Sequence, residues 1–149
     1  MTYEMDIAGL KRELPLCKVT DDLYIGAFVM FGDVELTVHC AAELLKRAPE
    51  YDYLIAPEAK SIPLLYEMAR QSGAEKYFLA RKGPKAYMSG VFEVHVKSIT
   101  TMDVQRLVID TADAELIKVG CGFCSLNLLF NGAVGIKQGQ VAEHDAVVA

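Results

Sequence analysis

The sequence carries no surplus of positive charge: 15 Lys and Arg stand against 20 Asp and Glu, for a net charge of −5. A whole-chain field of that sign gives no support to general nucleic-acid binding, although a local basic cluster for a phosphorylated small molecule is compatible with it. The N-terminus, Met1-Thr2-Tyr3-Glu4-Met5-Asp6, lacks the basic-then-apolar order of a secretion signal. Cysteine is scarce. The four residues, Cys17, Cys40, Cys121 and Cys124, read as reduced thiols in a chain without an export signal, so a cytoplasmic protein is expected. Charge itself nearly vanishes late in the chain, where only Lys137, Glu143 and Asp145 follow Lys118. The uncharged stretch 119–136 approaches the length of a membrane span, about 20 residues. Its four glycines, two asparagines and Ser125 argue for a buried or disrupted segment instead.

What is present fits one soluble domain. A chain of 149 residues suits a single core, and 52% hydrophobic with 23% charged residues is an ordinary globular balance. Residues 23–30 cluster Tyr, Ile, Phe and Val and read as extended. Asp33 is placed to cap a helix over 34 to about 46, with Val34, Val38, Ala41 and Leu45 on one apolar face and Pro49 beyond its end. Tyr53-Leu54-Ile55-Ala56 is a short buried strand, followed by a polar turn and a helix over about 62–71, with Gly73 as a left-handed cap. A further strand over 76–80 completes a βαβ unit. Phe92, Val94 and Val96 then alternate with polar residues, and 104–110 returns as a partner strand with 98–103 between them. The predicted fold is α/β, a mostly parallel sheet flanked by helices, with a hairpin flap.

Two stretches carry chemistry. Pro57-Glu58-Ala59-Lys60-Ser61 lies between a strand and a helix start, where outward-facing N–H groups attract anions and Lys60 adds a full charge. Arg81-Lys82-Gly83-Pro84-Lys85 is a basic turn at the end of the next strand. Each taken alone also reads as a solvated loop. Two such loops at successive strand ends of one sheet favour a ligand site, because ligands collect there.

Three segments in order, Tyr53-Leu54-Ile55-Ala56-Pro57-Glu58-Ala59-Lys60-Ser61-Ile62-Pro63-Leu64, Arg81-Lys82-Gly83-Pro84-Lys85-Ala86-Tyr87-Met88 and Ser98-Ile99-Thr100-Thr101, resemble the type I phosphoribosyltransferases. The bacterial adenine phosphoribosyltransferase-like proteins are the nearest branch, and the resemblance runs from about residue 2 to 118. It implies transfer of a phosphoribosyl group from phosphoribosyl pyrophosphate to a purine base, with Mg2+. Glu58, Ala59, Lys60 and Ser61 would be the pyrophosphate loop, often built in the family on a non-proline cis peptide; Ser61 stands where glycine is common. Arg81, Lys82 and Lys85 would belong to the mobile loop over the donor, which in adenine enzymes reaches the partner subunit's site, implying a homodimer. Residues 1–32 would form a hood over the base, with Phe28 as a stacking partner. No protein side chain is expected to hold the metal, and no nucleic acid or membrane is an expected partner.

One departure bears on activity. After residue 118 the family continues into a strand, two adjacent acids, and a Thr/Gly-rich loop opening a helix, which hold the ribose hydroxyls and the 5′-phosphate. Residues 119–131 here contain no acid, no threonine and no basic residue. Neither Asp21-Asp22 nor Asp110-Thr111 leads into a hydroxyl-rich turn before a helix. Family-like sequence resumes over 132–149, which points to a deletion or a pair of reading-frame errors. The expected organisation is thus a hood (1–32), a core and flap (33–118), an atypical segment (119–131) and a resumed strand with a tail. Impaired turnover is expected, with no catalytic residue assigned. The rival readings are a catalytically inactive relative that binds a nucleotide or partner protein, and a thiol or zinc protein using Cys121 and Cys124, with His39 and Cys40 completing a zinc set.

Overall fold

The computed structural model describes residues 1–98, 101–119 and 123–125. Its N-terminal strands β1 (Thr2–Ile7) and β2 (Leu10–Lys18) form an antiparallel hairpin, and β3 (Tyr24–Gly26) pairs with the far end of β2. The hairpin turns on Ala8 and Gly9, at φ 54° and 79°. Positive φ at both central residues is the type I′ geometry, whose twist matches that of the flanking strands. Leu14 is the buried residue of β2. The expected extended stretch over 23–30 narrows to the three residues of β3.

Helix α1 (Val34–Arg47) begins at Asp33, whose side chain accepts from the Leu36 N–H at 2.9 Å. Its buried face is Leu36, Thr37, Cys40 and Ala41. This corrects the expected face: Ala41 is inside, but Val34 is 75% and Val38 36% exposed. Leu36, Cys40 and Leu44 recur at four-residue spacing beside the Val34 stripe, so two helical stripes overlap and the Leu-led one faces the core. Strand β4 (Tyr53–Pro57) runs into α2 (Ile62–Ser72), and α2 into β5 (Tyr77–Ala80). Gly73, at φ 73°, ends α2, and the Ala74 N–H reaches back to the Ala69 carbonyl at 2.9 Å. Leu36, Cys40 and Ala41 of α1, Leu54 and Ala56 of β4, and Leu64, Leu65, Met68 and Ala69 of α2 make one core.

Strands β6 (Val91–Ser98) and β7 (Thr101–Asp110) form the expected antiparallel hairpin, paired as far as Ser98↔Thr101, so that β7 starts three residues before the expected 104. Helix α3 (Thr111–Val119) follows directly, with the Ala112 N–H on Asp110 Oδ1 at 3.2 Å. The last described element, β8 (Phe123–Ser125), pairs parallel with β4 through Tyr53↔Phe123, Leu54↔Cys124 and Ile55↔Ser125. The chain is therefore α/β, but among the described residues the mostly parallel sheet reduces to the three strands β5-β4-β8; the β1-β2-β3 and β6-β7 sheets are antiparallel. Residues 119–131 are described only at Val119 and in β8, and the resumed strand over 132–149 lies outside the described residues. Among the described residues no helix is long and apolar enough to cross a membrane.

Candidate functional site

Strand β4 occupies the centre of the parallel sheet. The chain leaves its carboxyl end through α2 to β5 on one side, and β8 lies on the other. Such a reversal of strand order opens a crevice at the carboxyl ends of the strands, the usual ligand position in open α/β sheets. Residues 57–61 fill this place. The Glu58 N–H donates to the Ala80 carbonyl at 2.8 Å, extending the β4–β5 pairing by one step. The Glu58–Ala59 peptide bond is cis, the geometry that the resemblance implies for this loop. The Ser61 hydroxyl donates to the Pro57 carbonyl at 2.8 Å, and α2 starts without a side-chain cap. Ala59 and Lys60 are exposed at the mouth.

The basic loop starts where β5 ends, one strand away. Arg81 is fixed at its root by two backbone hydrogen bonds with buried Val108 of β7, 2.8 and 2.7 Å. Its guanidinium crosses to the first loop, with Nη2 donating to Glu58 Oε1 at 2.8 Å. The Lys82 backbone N–H donates to Glu58 Oε2 at 3.1 Å, and Arg81 Nη1 donates to the Tyr87 hydroxyl at 2.9 Å. Nε of Arg81 is buried with no hydrogen-bond partner among the described residues. The Lys82 N–H, followed by the charges of Arg81 and Lys85, holds the Glu58 carboxyl below the usual glutamate range.

The structure thus brings together Glu58, Arg81 and Lys82, with Lys85 close enough for its charge to act on Glu58. Lys60 and Ser61 stand on the same turn as Glu58. Phe28 is elsewhere: half-buried, it packs against the core and lines a cleft of about 180 Å³ between the N-terminal hairpin and α1, with Arg12, Leu14, Val29, Asp33 and Leu36. None of residues 57–61 or 81–85 lines that cleft. Tyr87, missed by the sequence reading as a site residue, orients Arg81; its only signal was its place in the Arg81–Met88 motif. Arg12 was missed as well. It bonds Asp33 through Nε at 2.7 Å and Nη2 at 3.2 Å, and reaches Glu35 at 2.9 Å, fastening the hairpin to the start of α1. That pairing holds the Asp33 carboxyl below its ordinary range, Arg12 first and the Leu36 N–H second.

With the site in view, comparison with solved structures shows a likeness to the crystal structure of adenine phosphoribosyltransferase from Thermoanaerobacter pseudethanolicus, at a TM-score of 0.50 and 15% identity. The fold is phosphoribosyltransferase-like. The match covers 65% of this chain and 57% of that one, so the chain spans little more than half the length of the protein it resembles. No protein-family model matches the sequence, and no curated protein does.

Two side chains of the zinc reading part company. Cys40 is in the core, where burial pushes its thiol up, whereas His39 is exposed with Nδ1 3.4 Å from the Ala8 carbonyl. Cys121 lies outside the described residues, and Cys124 is described only by its strand position. Among the described residues no three His, Cys, Asp or Glu gather as a metal site.

Proposed function

We propose that residues 57–61 and 81–85 form the pyrophosphate-binding part of a phosphoribosyltransferase-like protein of the purine, adenine-type branch. The observation that carries this reading is the joining of two cation-bearing loops, at the carboxyl ends of adjacent parallel strands, through Glu58. Four cations, Lys60, Arg81, Lys82 and Lys85, stand there against one carboxylate. Lys60 lies at the start of α2, where a helix favours negative charge. In the transfer these cations would stabilise the departing pyrophosphate; such catalysis rests on positioning and charge, with no protein nucleophile. Magnesium would be carried by the phosphate oxygens and water, as this ion commonly is, and would neutralise part of the charge that leaves. The basic loop would serve a neighbouring subunit in a homodimer.

A second reading, a catalytically inactive nucleotide binder, is favoured by one observation. The strand beside β4 is Phe123-Cys124-Ser125, and no acid follows it up to residue 131, whereas the resembled family sets two adjacent acids after its strand. The two readings share the pyrophosphate loops. Calorimetric titration of magnesium pyrophosphate into the wild type and Lys60→Ala tests both. Weak binding is expected for the wild type, with a loss of about tenfold in the variant, the size of one charge-assisted contact. Equal affinity in the two proteins would remove Lys60 from the site, and no binding to either would end the reading.

A further inference from the structure

Glu58 occupies an unusual position for a carboxylate: it sits among the cations that the site would offer to a phosphate. Its two oxygens divide the two donors of the basic loop, Oε1 taking Arg81 Nη2 at 2.8 Å and Oε2 taking the Lys82 N–H at 3.1 Å. A guanidinium and a backbone N–H aimed at two oxygens of one group form an oxyanion cradle, and here the protein's own side chain fills it. The root of the loop is held independently by the Arg81–Val108 backbone pair. What Glu58 holds is therefore the outward part of the loop, with the Arg81 side chain and the exposed Lys82.

We propose that Glu58 is a built-in competitor for the anion, a positioning residue that latches the basic loop to the 57–61 turn and must give up Arg81 and Lys82 when a diphosphate group enters. The proposal rests on the pyrophosphate reading above and adds that the affinity of the site is set by this internal carboxylate. Two like charges cannot share one cradle at this range, so the incoming phosphate and Glu58 exclude each other. The bond from the Glu58 N–H to Ala80 does not involve the side chain, so the turn keeps that anchor when the carboxylate is released. Tyr87 keeps its hold on Arg81 Nη1 in either state, leaving Nη2 for the new group.

The test uses the full chain as wild type, Glu58→Gln and Glu58→Ala, with circular dichroism to establish that each is folded. Without ligand, trypsin is expected to cut after Lys82 and Lys85 several-fold faster in both variants, read by mass spectrometry against the other basic sites. In calorimetry both variants are expected to bind magnesium pyrophosphate about fivefold or more tighter than the wild type, the scale of removing one opposed charge near a protein surface. A structural role alone would loosen the loop and weaken binding. Equal or weaker affinity in the variants, beside measurable binding by the wild type, overturns the competition while leaving the pyrophosphate reading intact. Unchanged cleavage overturns the latch. Pyrophosphate bound by none of the three proteins overturns the reading and the competition together.

Discussion

Glu67 shows how a single side chain on α2 can report on the whole core. It is buried on a helix whose neighbours are Leu64, Leu65 and Met68, and it keeps its charge through Arg70 and Gln71. Arg70 donates to it at 2.8 and 2.7 Å, and Gln71 at 2.8 Å. The Arg70 guanidinium first, and the Gln71 amide second, hold its carboxyl down to about 2, from an ordinary 4.5. A carboxyl depressed on folding contributes stability that is complete above its unfolded value and is lost as pH falls through the folded one. Stability from Glu67 is therefore expected to fade between pH about 4.5 and about 2. Thermal unfolding followed across that window should fall more steeply for the wild type than for Glu67→Gln; parallel profiles would mean that Arg70 does not hold the group. The sequence allowed an Arg three residues on, a spacing that places the two on one helix face, but it could not show which glutamate would be buried. The same holds at the site. Lys60 and Arg81 were legible as cations on loops, whereas the Glu58–Arg81 bond, 23 residues apart, depends on the sheet that sets β4 beside β5.

Elements with local signals were legible, and those without them were not. Asp33 as a cap, Gly73 as a left-handed stop and the short apolar run at Tyr53 each have a mechanism that works within a few residues, and α1, α2 and β4 lie where those signals put them. The N-terminal hairpin was hidden because its turn is Ala8-Gly9 in place of the usual Asn-Gly or Asp-Gly, and because Lys11, Arg12, Glu13 and Pro15 break the apolar run of β2. Helix α3 was hidden behind β7: Asp110, the last residue of that strand, also accepts from its first turn. The face of α1 was misjudged for a different reason, since β-branched and leucine stripes run side by side and only the packing of α2 selects between them. This choice can be measured by substitution. Leu36→Ala should cost about 2–5 kcal/mol, the usual penalty for opening a cavity in a core, while Val34→Ala should stay within about 0.5 kcal/mol. Chemical denaturation of the two variants decides it; equal losses would return Val34 to the buried face.

At the scale of the whole molecule, the sequence carried the α/β class and the flap but overstated the parallel sheet, because the 53–80 unit is parallel while strand pairing in the first thirty residues is invisible without its partners. Under the proposed reading the candidate site is correspondingly divided: the loops that would hold pyrophosphate are built on the described β4–α2–β5 unit, and the segment that would correspond to the family's 5′-phosphate loop is residues 119–131. Assembly is one consequence. If the basic loop serves a neighbouring site, sedimentation velocity should show a dimer, and if the atypical segment 119–131 leaves apolar surface uncovered, it should show aggregation. A well-behaved monomer would count against both. Turnover is the other. The loops that would hold pyrophosphate are present, but β8 brings Phe123, Cys124 and Ser125 beside β4, and no acid, threonine or basic residue occurs from 119 to 131. A missing phosphate cradle forfeits three or four charge-assisted hydrogen bonds at about 1.5–3 kcal/mol each, roughly 5–10 kcal/mol of donor binding. At about 1.4 kcal/mol per decade this corresponds to roughly three to seven decades in affinity or rate. Lys60 and Arg81 could not restore it, because in the proposed reading they would act on the pyrophosphate end, which is released. Adenine-dependent pyrophosphate release at saturating magnesium is therefore expected to be barely above background, even under conditions where calorimetry detects bound pyrophosphate. Robust turnover would mean that residues 119–131 supply a phosphate site without a cation, from backbone N–H groups and the neutral donors Ser125, Asn127 and Asn131, and the second reading, an inactive nucleotide binder, would then fall.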